Sequence, residues 1–89
     1  MRILVIEDEK KVASFIKRGL EQESYAVNVA HNCVDGEHFA KSYEYDAIVL
    51  DIMLPVKAGL DVLKDIKAAG VKAPVLLLTA RDSVDDRVK

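Results

Sequence analysis

At 89 residues the chain is at most one domain, below the ~100–150 residues commonest for one, and its 13 basic against 15 acidic groups leave a formal charge of −2. With 51% apolar and 31% charged residues it reads as an ordinary soluble globule, and nothing in this balance suggests the basic footprint of a nucleic-acid surface. No apolar run nears the ~18 residues of a membrane span, acids stand at positions 7–9 where a signal peptide would carry its apolar run, and the single Cys33 permits no internal disulfide, so the expected compartment is the cytoplasm.

Residues 2–6, RILVI, are a continuous β-branched and leucine run and predict a strand. Residues 9–23 place Val12, Phe15, Ile16, Gly19 and Leu20 on one helical face. YAVNVA (25–30) predicts a second strand, and CVDGEHFAKSYE (33–44) a shorter helix with Val34, Phe39, Ala40 and Tyr43 as its apolar side. DAIVLD (46–51) is the third strand. After the break at Pro55, residues 59–70 form a helix with Leu60, Leu63 and Ile66 on one side, stopping at Gly70. APVLLLTA (73–80) is the fourth strand, and SVDD (83–86) has the form of a capping box, which starts another helix near Ser83.

The first, third and fourth strands are apolar throughout rather than alternating, the pattern of a parallel sheet covered on both faces and built from right-handed βαβ crossovers. Such a sheet binds ligands beyond the carboxyl ends of its strands, where strand order reverses. Those ends carry Glu7 and Asp8 after the first strand, Asp51 after the third and Thr79 after the fourth. With the first and third strands as neighbours, three carboxylates meet, and their repulsion calls for a proton or a cation. An oxygen-rich, partly open site of this kind suits Mg²⁺. An ionised Asp51 directly after Ala47, Ile48, Val49 and Leu50 is costly to bury and needs a function, and a nucleophile toward phosphorus in an in-line transfer supplies one.

Three segments in order, ILVIEDEKKV (3–12), IVLDIMLPVKAGLDVL (48–63) and PVLLLTARD (74–82), closely resemble the receiver domain of bacterial two-component response regulators, above all the class joined to a winged-helix DNA-binding domain. The resemblance implies a flavodoxin-like, doubly wound α/β fold with Asp51 as phosphoacceptor. It further implies Asp8 as a direct Mg²⁺ ligand, Glu7 holding a metal-bound water, and the Met53 backbone carbonyl completing the protein's share. Thr79 would hydrogen-bond the phosphoryl group and swing inward as a switch, with Ala80 the small neighbour that leaves it room. The implied partners are a sensor histidine kinase and, through an effector domain outside this sequence, DNA; no membrane contact is implied. The implied activity is phosphate acceptance with slow self-hydrolysis rather than turnover as an enzyme.

Three departures qualify the match. Relatives carry a lysine beyond Thr79, at the end of a fifth strand, that pairs with the phosphoryl oxygens, and the 89 residues stop before it. A fifth strand and fifth helix are likewise expected to be missing, so residues 1–89 are read as a partial receiver: four strands, three helices and the start of a fourth. The apolar fourth strand then becomes an unguarded edge, which predicts self-association through it or through an uncovered sheet face. Val56, Lys57 and Ala58 also stand where relatives often have Gly-Met-Asp.

Each assignment has a structural alternative. Glu7 and Asp8 also suit the first turn of a helix, Asp51 a cap and Thr79 an ordinary strand position. His31 and His38 read as surface or packing residues, Cys33 as a small buried hydrophobe, Lys57 as a solvated charge, and Tyr25, Tyr43 and Tyr45 as packing with hydroxyls in water. A haloacid-dehalogenase-like phosphohydrolase would need a second acid two residues after Asp51, where Met53 stands, and no glycine-rich phosphate loop is present. A scaffold that keeps the fold without the chemistry is the remaining alternative.

Overall fold

The computed structural model describes residues 1–51 and 59–78. Strands β1 (Arg2–Ile6), β2 (Ala26–Ala30), β3 (Ala47–Asp51) and β4 (Val75–Leu78) alternate with helices α1 (Lys10–Gln22), α2 (Cys33–Ser42) and α3 (Gly59–Ala68). All the strand pairs are parallel, and the order is β2-β1-β3-β4. From β1 the chain steps outward to β2, then crosses to β3 on the other side. Strand order therefore reverses between β1 and β3, the neighbours that the acid pattern requires. The helix expected from Ser83 lies outside the described residues.

The unbroken apolar runs of β1 and β3 have their physical reason in two covered faces. Leu4, Ile6, Ile48 and Leu50 pack with Val62 and Ile66 of α3 and with Cys33 and Ala40 of α2. Ile3, Val5, Val27 and Val49 meet Ile16 and Leu20 of α1 on the opposite face. Each fully buried aliphatic side chain contributes about 1.5–3 kcal/mol. Leu4, Val5, Ile6, Ile48 and Leu50 are all at 0% exposure, so the central β1–β3 pair is the best-anchored part of the sheet. Glu7, directly after β1, and Asp51, the last residue of β3, stand on that pair.

The helical faces match the sequence expectation only in part: Ile16, Leu20, Phe39, Ala40, Leu63 and Ile66 pack inward as expected, and other residues do not. In α1 the buried side is Ala13 with Ile16 and Leu20 packed beside it, whereas Phe15 is 76% exposed and Gly19 is exposed. The true face keeps Ile16 and Leu20 and turns toward Ala13, away from Phe15 and Gly19. In α2 the buried residues are Cys33, Gly36 and Ala40, while Val34 and Tyr43 point outward. Small side chains win there because α2 lies close on the sheet: a Cβ built on Gly36 would stand 2.7–2.9 Å from three side-chain carbons of Ile6. In α3, Val62 and Ile66 are buried, Leu63 is partly so, and Leu60 is 54% exposed. Tyr45 also departs from expectation, since its hydroxyl donates to Asn28 Oδ1 at 3.1 Å.

Two helices end in the same way with different residues. After α1 the Tyr25 N–H reaches Leu20 O and the Ser24 N–H reaches Glu21 O; after α3 the Val71 N–H reaches Ile66 O and the Gly70 N–H reaches Lys67 O. Both are Schellman ends, which require a left-handed residue. Gly70 supplies φ +88° without a Cβ penalty, and Ser24 takes φ 73° despite one.

Candidate metal and phosphoacceptor site

Glu7 and Asp8 are the first two residues beyond β1, and Asp51 is the last residue of β3. The register pairs Ile6 with Leu50, which sets Glu7 abreast of Asp51 at the carboxyl end of the sheet. One carboxylate oxygen from each of Glu7, Asp8 and Asp51 lies within 4.8 Å of the others. Glu7 and Asp51 are 1% and 2% exposed, and Asp8 is the more open member. The β1 and β3 side chains that fill the core are what carry two carboxylates to a buried position.

Glu7 is held from three directions. Its N–H donates to Ala30 O at 2.9 Å, which continues the β1–β2 ladder one residue past the strand. Its Oε2 accepts the Glu9 N–H at 3.0 Å, at the entrance to α1. Its backbone carbonyl meets His31 Nδ1 at 3.2 Å. Burial is the main reason that its carboxyl is pushed up to about 7. The Glu9 amide works in the other direction, and repulsion from Asp51, a hydrogen bond to Asp51 and repulsion from Asp8 add to the rise. Burial sets most of that rise, and the repulsion from Asp51 and Asp8 is the part that an excess of negative charge adds.

A cation relieves that excess as a proton does. The three donors are all carboxylate oxygens, with no imidazole or thiolate among them, so the set fits a hard, oxygen-loving ion such as Mg²⁺ rather than zinc or copper. The described residues hold no other group of three such ligands within reach. A cavity of about 620 Å³, lined by residues including Tyr43, Tyr45, Asp46, Gly70 and Lys72, opens at the opposite end of the strands and takes no part in this site.

Of the residues singled out in the sequence, Glu7, Asp8 and Asp51 are brought together. Met53, Lys57, Thr79 and Ala80 lie outside the described residues. Cys33 is buried and reduced in the α2 interface, and His38 is exposed beside Phe39. Sequence reasoning missed the contact of His31 with Glu7. Their separation of 24 residues follows no helical or ligand spacing, and only the parallel pairing of β1 with β2 joins them.

The sequence pattern of the response regulator receiver domain matches residues 3–89. The chain belongs to the response regulator receiver domain family. This receiver domain is 40% identical to the transcriptional regulatory protein CusR of Escherichia coli (strain K12) over 89 residues, all of this chain and 39% of CusR. It thus spans only about two-fifths of such relatives. Among solved structures it superposes with a TM-score of 0.84 and 30% identity on the receiver domain of the sensor histidine kinase PA1611 from Pseudomonas aeruginosa, which has magnesium in its active-site cleft. That match covers 99% of this receiver domain and 74% of that chain. The complex of histidine kinase ThkA with response regulator TrrA, the latter from Thermotoga maritima, matches at 35% identity and TM-score 0.82, covering 89% of this chain and 68% of that one. The fold is the flavodoxin-like fold of receivers, and the relative CusR is itself a transcriptional regulatory protein.

Proposed function

We propose that Asp51 accepts a phosphoryl group from a sensor histidine kinase, with Mg²⁺ required, and that the phosphorylated domain controls transcription through a DNA-binding effector domain. The observation that carries this reading is the convergence of Glu7, Asp8 and Asp51 at the β1–β3 switch point. A carboxylate oxygen of Asp51 attacks phosphorus as the donor's P–N bond breaks, or its P–O bond in a donor such as acetyl phosphate; the bonding electrons leave with the donor and an acyl phosphate remains. Asp8 and Asp51 would hold the ion directly, Glu7 through a water, and the Met53 carbonyl would complete the set. Bound there, Mg²⁺ would neutralise charge developing on the phosphoryl oxygens.

Thr79 hydrogen-bonds the phosphoryl group in this reading, and Ala80 leaves room for it. The protein acts as a stoichiometric acceptor with slow self-dephosphorylation, in the cytoplasm, and not as a turnover enzyme. Magnesium in the PA1611 receiver and the pairing of TrrA with a kinase support the ion and the partner by similarity. Self-association through β4 or the sheet face beside it belongs to the same reading.

Intact mass after incubation with acetyl phosphate and Mg²⁺ tests it, on this chain, on Asp51→Asn and on a chain extended through the relatives' lysine. A phosphoryl adduct absent from Asp51→Asn is the expected result for the extended chain. An adduct on the 89-residue chain as well shows that four strands and the acids suffice. No adduct on a folded extended chain overturns the phosphoacceptor reading in favour of a scaffold.

A further inference from the structure

The geometry points to His31 as a positioning residue for the acidic site: its imidazole Nδ1–H donates to the Glu7 carbonyl and fixes the backbone from which both Glu7 and Asp8 project. This rests on the metal site proposed above. Glu7 lies one residue past β1, where the strand ladder ends and a backbone carbonyl loses its strand partner. Its N–H is still paired with Ala30 O at 2.9 Å, and the next residue of the β2 segment, His31, approaches its carbonyl at 3.2 Å. A carbonyl only accepts, so the ring is the Nδ1–H tautomer, with Nε2 turned away from this bond. Ala30 and His31 together grip both polar groups of one peptide residue.

That grip matters because Glu7 and Asp8 are consecutive. Rotation about the Glu7 backbone would move both carboxylates relative to Asp51, which is fixed by β3. On the other side the Glu7 side chain is tied to the Glu9 N–H at 3.0 Å, so a loosened Glu7 also loosens the start of α1. His31 touches no oxygen of the three-carboxylate cluster through any of these bonds. Its effect on the metal is exerted through the backbone, in the way that outer partners orient metal ligands generally.

The test uses the 89-residue chain without metal and then titrated with MgCl₂ by calorimetry, at one fixed pH. His31→Ala is expected to raise the Mg²⁺ dissociation constant by about three- to ten-fold, the lower end of outer-partner effects because the ring is exposed. It should also speed amide exchange at Glu9 in the metal-free protein. His31→Gln, which keeps a side-chain N–H donor, should recover most of both losses. Gly70→Ala, strained at φ +88° at the far end of the sheet, controls for stability and should leave the affinity unchanged. Unchanged affinity and exchange in His31→Ala overturn the inference, and so does a loss that Gly70→Ala reproduces in proportion to its fall in Tm. If the wild type itself shows no Mg²⁺ heat that Asp51→Asn abolishes, the metal-site reading fails; Glu9 exchange in the metal-free protein still judges His31 as a backbone anchor.

Discussion

Glu7 sits at 1% exposure with a carboxyl raised from 4.5 to about 7, chiefly by burial. The sign of its effect on stability follows. Between about 4.5 and 7 the folded protein keeps a proton that the unfolded chain has released. The contribution of Glu7 is therefore fully present below about 4.5 and is lost as pH rises through about 7. In thermal melts without metal, the wild type should lose Tm relative to Glu7→Gln as pH is raised from about 5 to about 8, and MgCl₂ should recover part of the loss at the upper end. Parallel pH profiles for the two proteins would show that Glu7 titrates like an ordinary surface glutamate. The acids themselves were legible in the sequence, because a charge directly after a buried apolar run is anomalous at Glu7 and again at Asp51. His31 was not legible, since the peptide carbonyl that it meets leaves no mark in a residue pattern.

The strands were legible and the helical faces only in part, for a reason visible in α1 and α2. A strand buried on both sides needs only an apolar run, and RILVI and AIVLD supply one. A helix carrying apolar residues on more than one flank gives several acceptable faces, so Phe15 was read inward although it points to solvent. In α2 bulk was the wrong guide, because Cys33, Gly36 and Ala40 are buried and their small size is what lets the helix approach. The one signal was Gly36 itself, a residue that costs ~1 kcal/mol in a helix interior and so marks a close contact when it is kept.

Gly36→Ala thus sets two effects against each other. Alanine gains up to ~1 kcal/mol of helix propensity, and the new Cβ meets Cδ1, Cγ2 and Cγ1 of Ile6 at 2.7, 2.8 and 2.9 Å. Two of those atoms are attached directly to the Ile6 Cβ, and Ile6 is at 0% exposure, so the neighbour has nowhere to go. Overpacking costs about 1–3 kcal/mol and should win, giving a net loss of roughly 1–2 kcal/mol in urea unfolding with the m-value unchanged. Gly19→Ala is the matched opposite: with nothing within 4 Å of its Cβ it should gain about 0.5–1 kcal/mol. Equal responses at the two positions would show that propensity alone decides and that α2 does not press on Ile6.

On the scale of the whole molecule, the two edges of the described sheet differ in chemistry. The β2 edge carries Asn28, exposed and hydrogen-bonded to the Tyr45 hydroxyl, and is polar enough to remain in water. The β4 edge is Val-Leu-Leu-Leu, with Leu76 61% and Leu77 40% exposed and no charged residue within the strand. Leu76 is in register with Val49, on the α1 face, and Leu77 with Leu50, on the α2–α3 face, so the edge presents apolar surface on both sides. Edges that stay monomeric usually carry a lysine, a bulge or an inward charge, and β4 has none of these within its four residues. A second copy paired along β4 would satisfy the backbone groups and cover both leucines at once, under the two-fold symmetry usual for dimers. The 89-residue chain is accordingly expected to sediment as a dimer or larger at tens of micromolar, about the range where weak edge pairing registers, and Leu76→Lys with Leu77→Lys should return it to a monomer. If Phe15→Lys dissociates the assembly and the β4 pair does not, α1 is the contact; a monomeric wild type at that concentration refutes both surfaces.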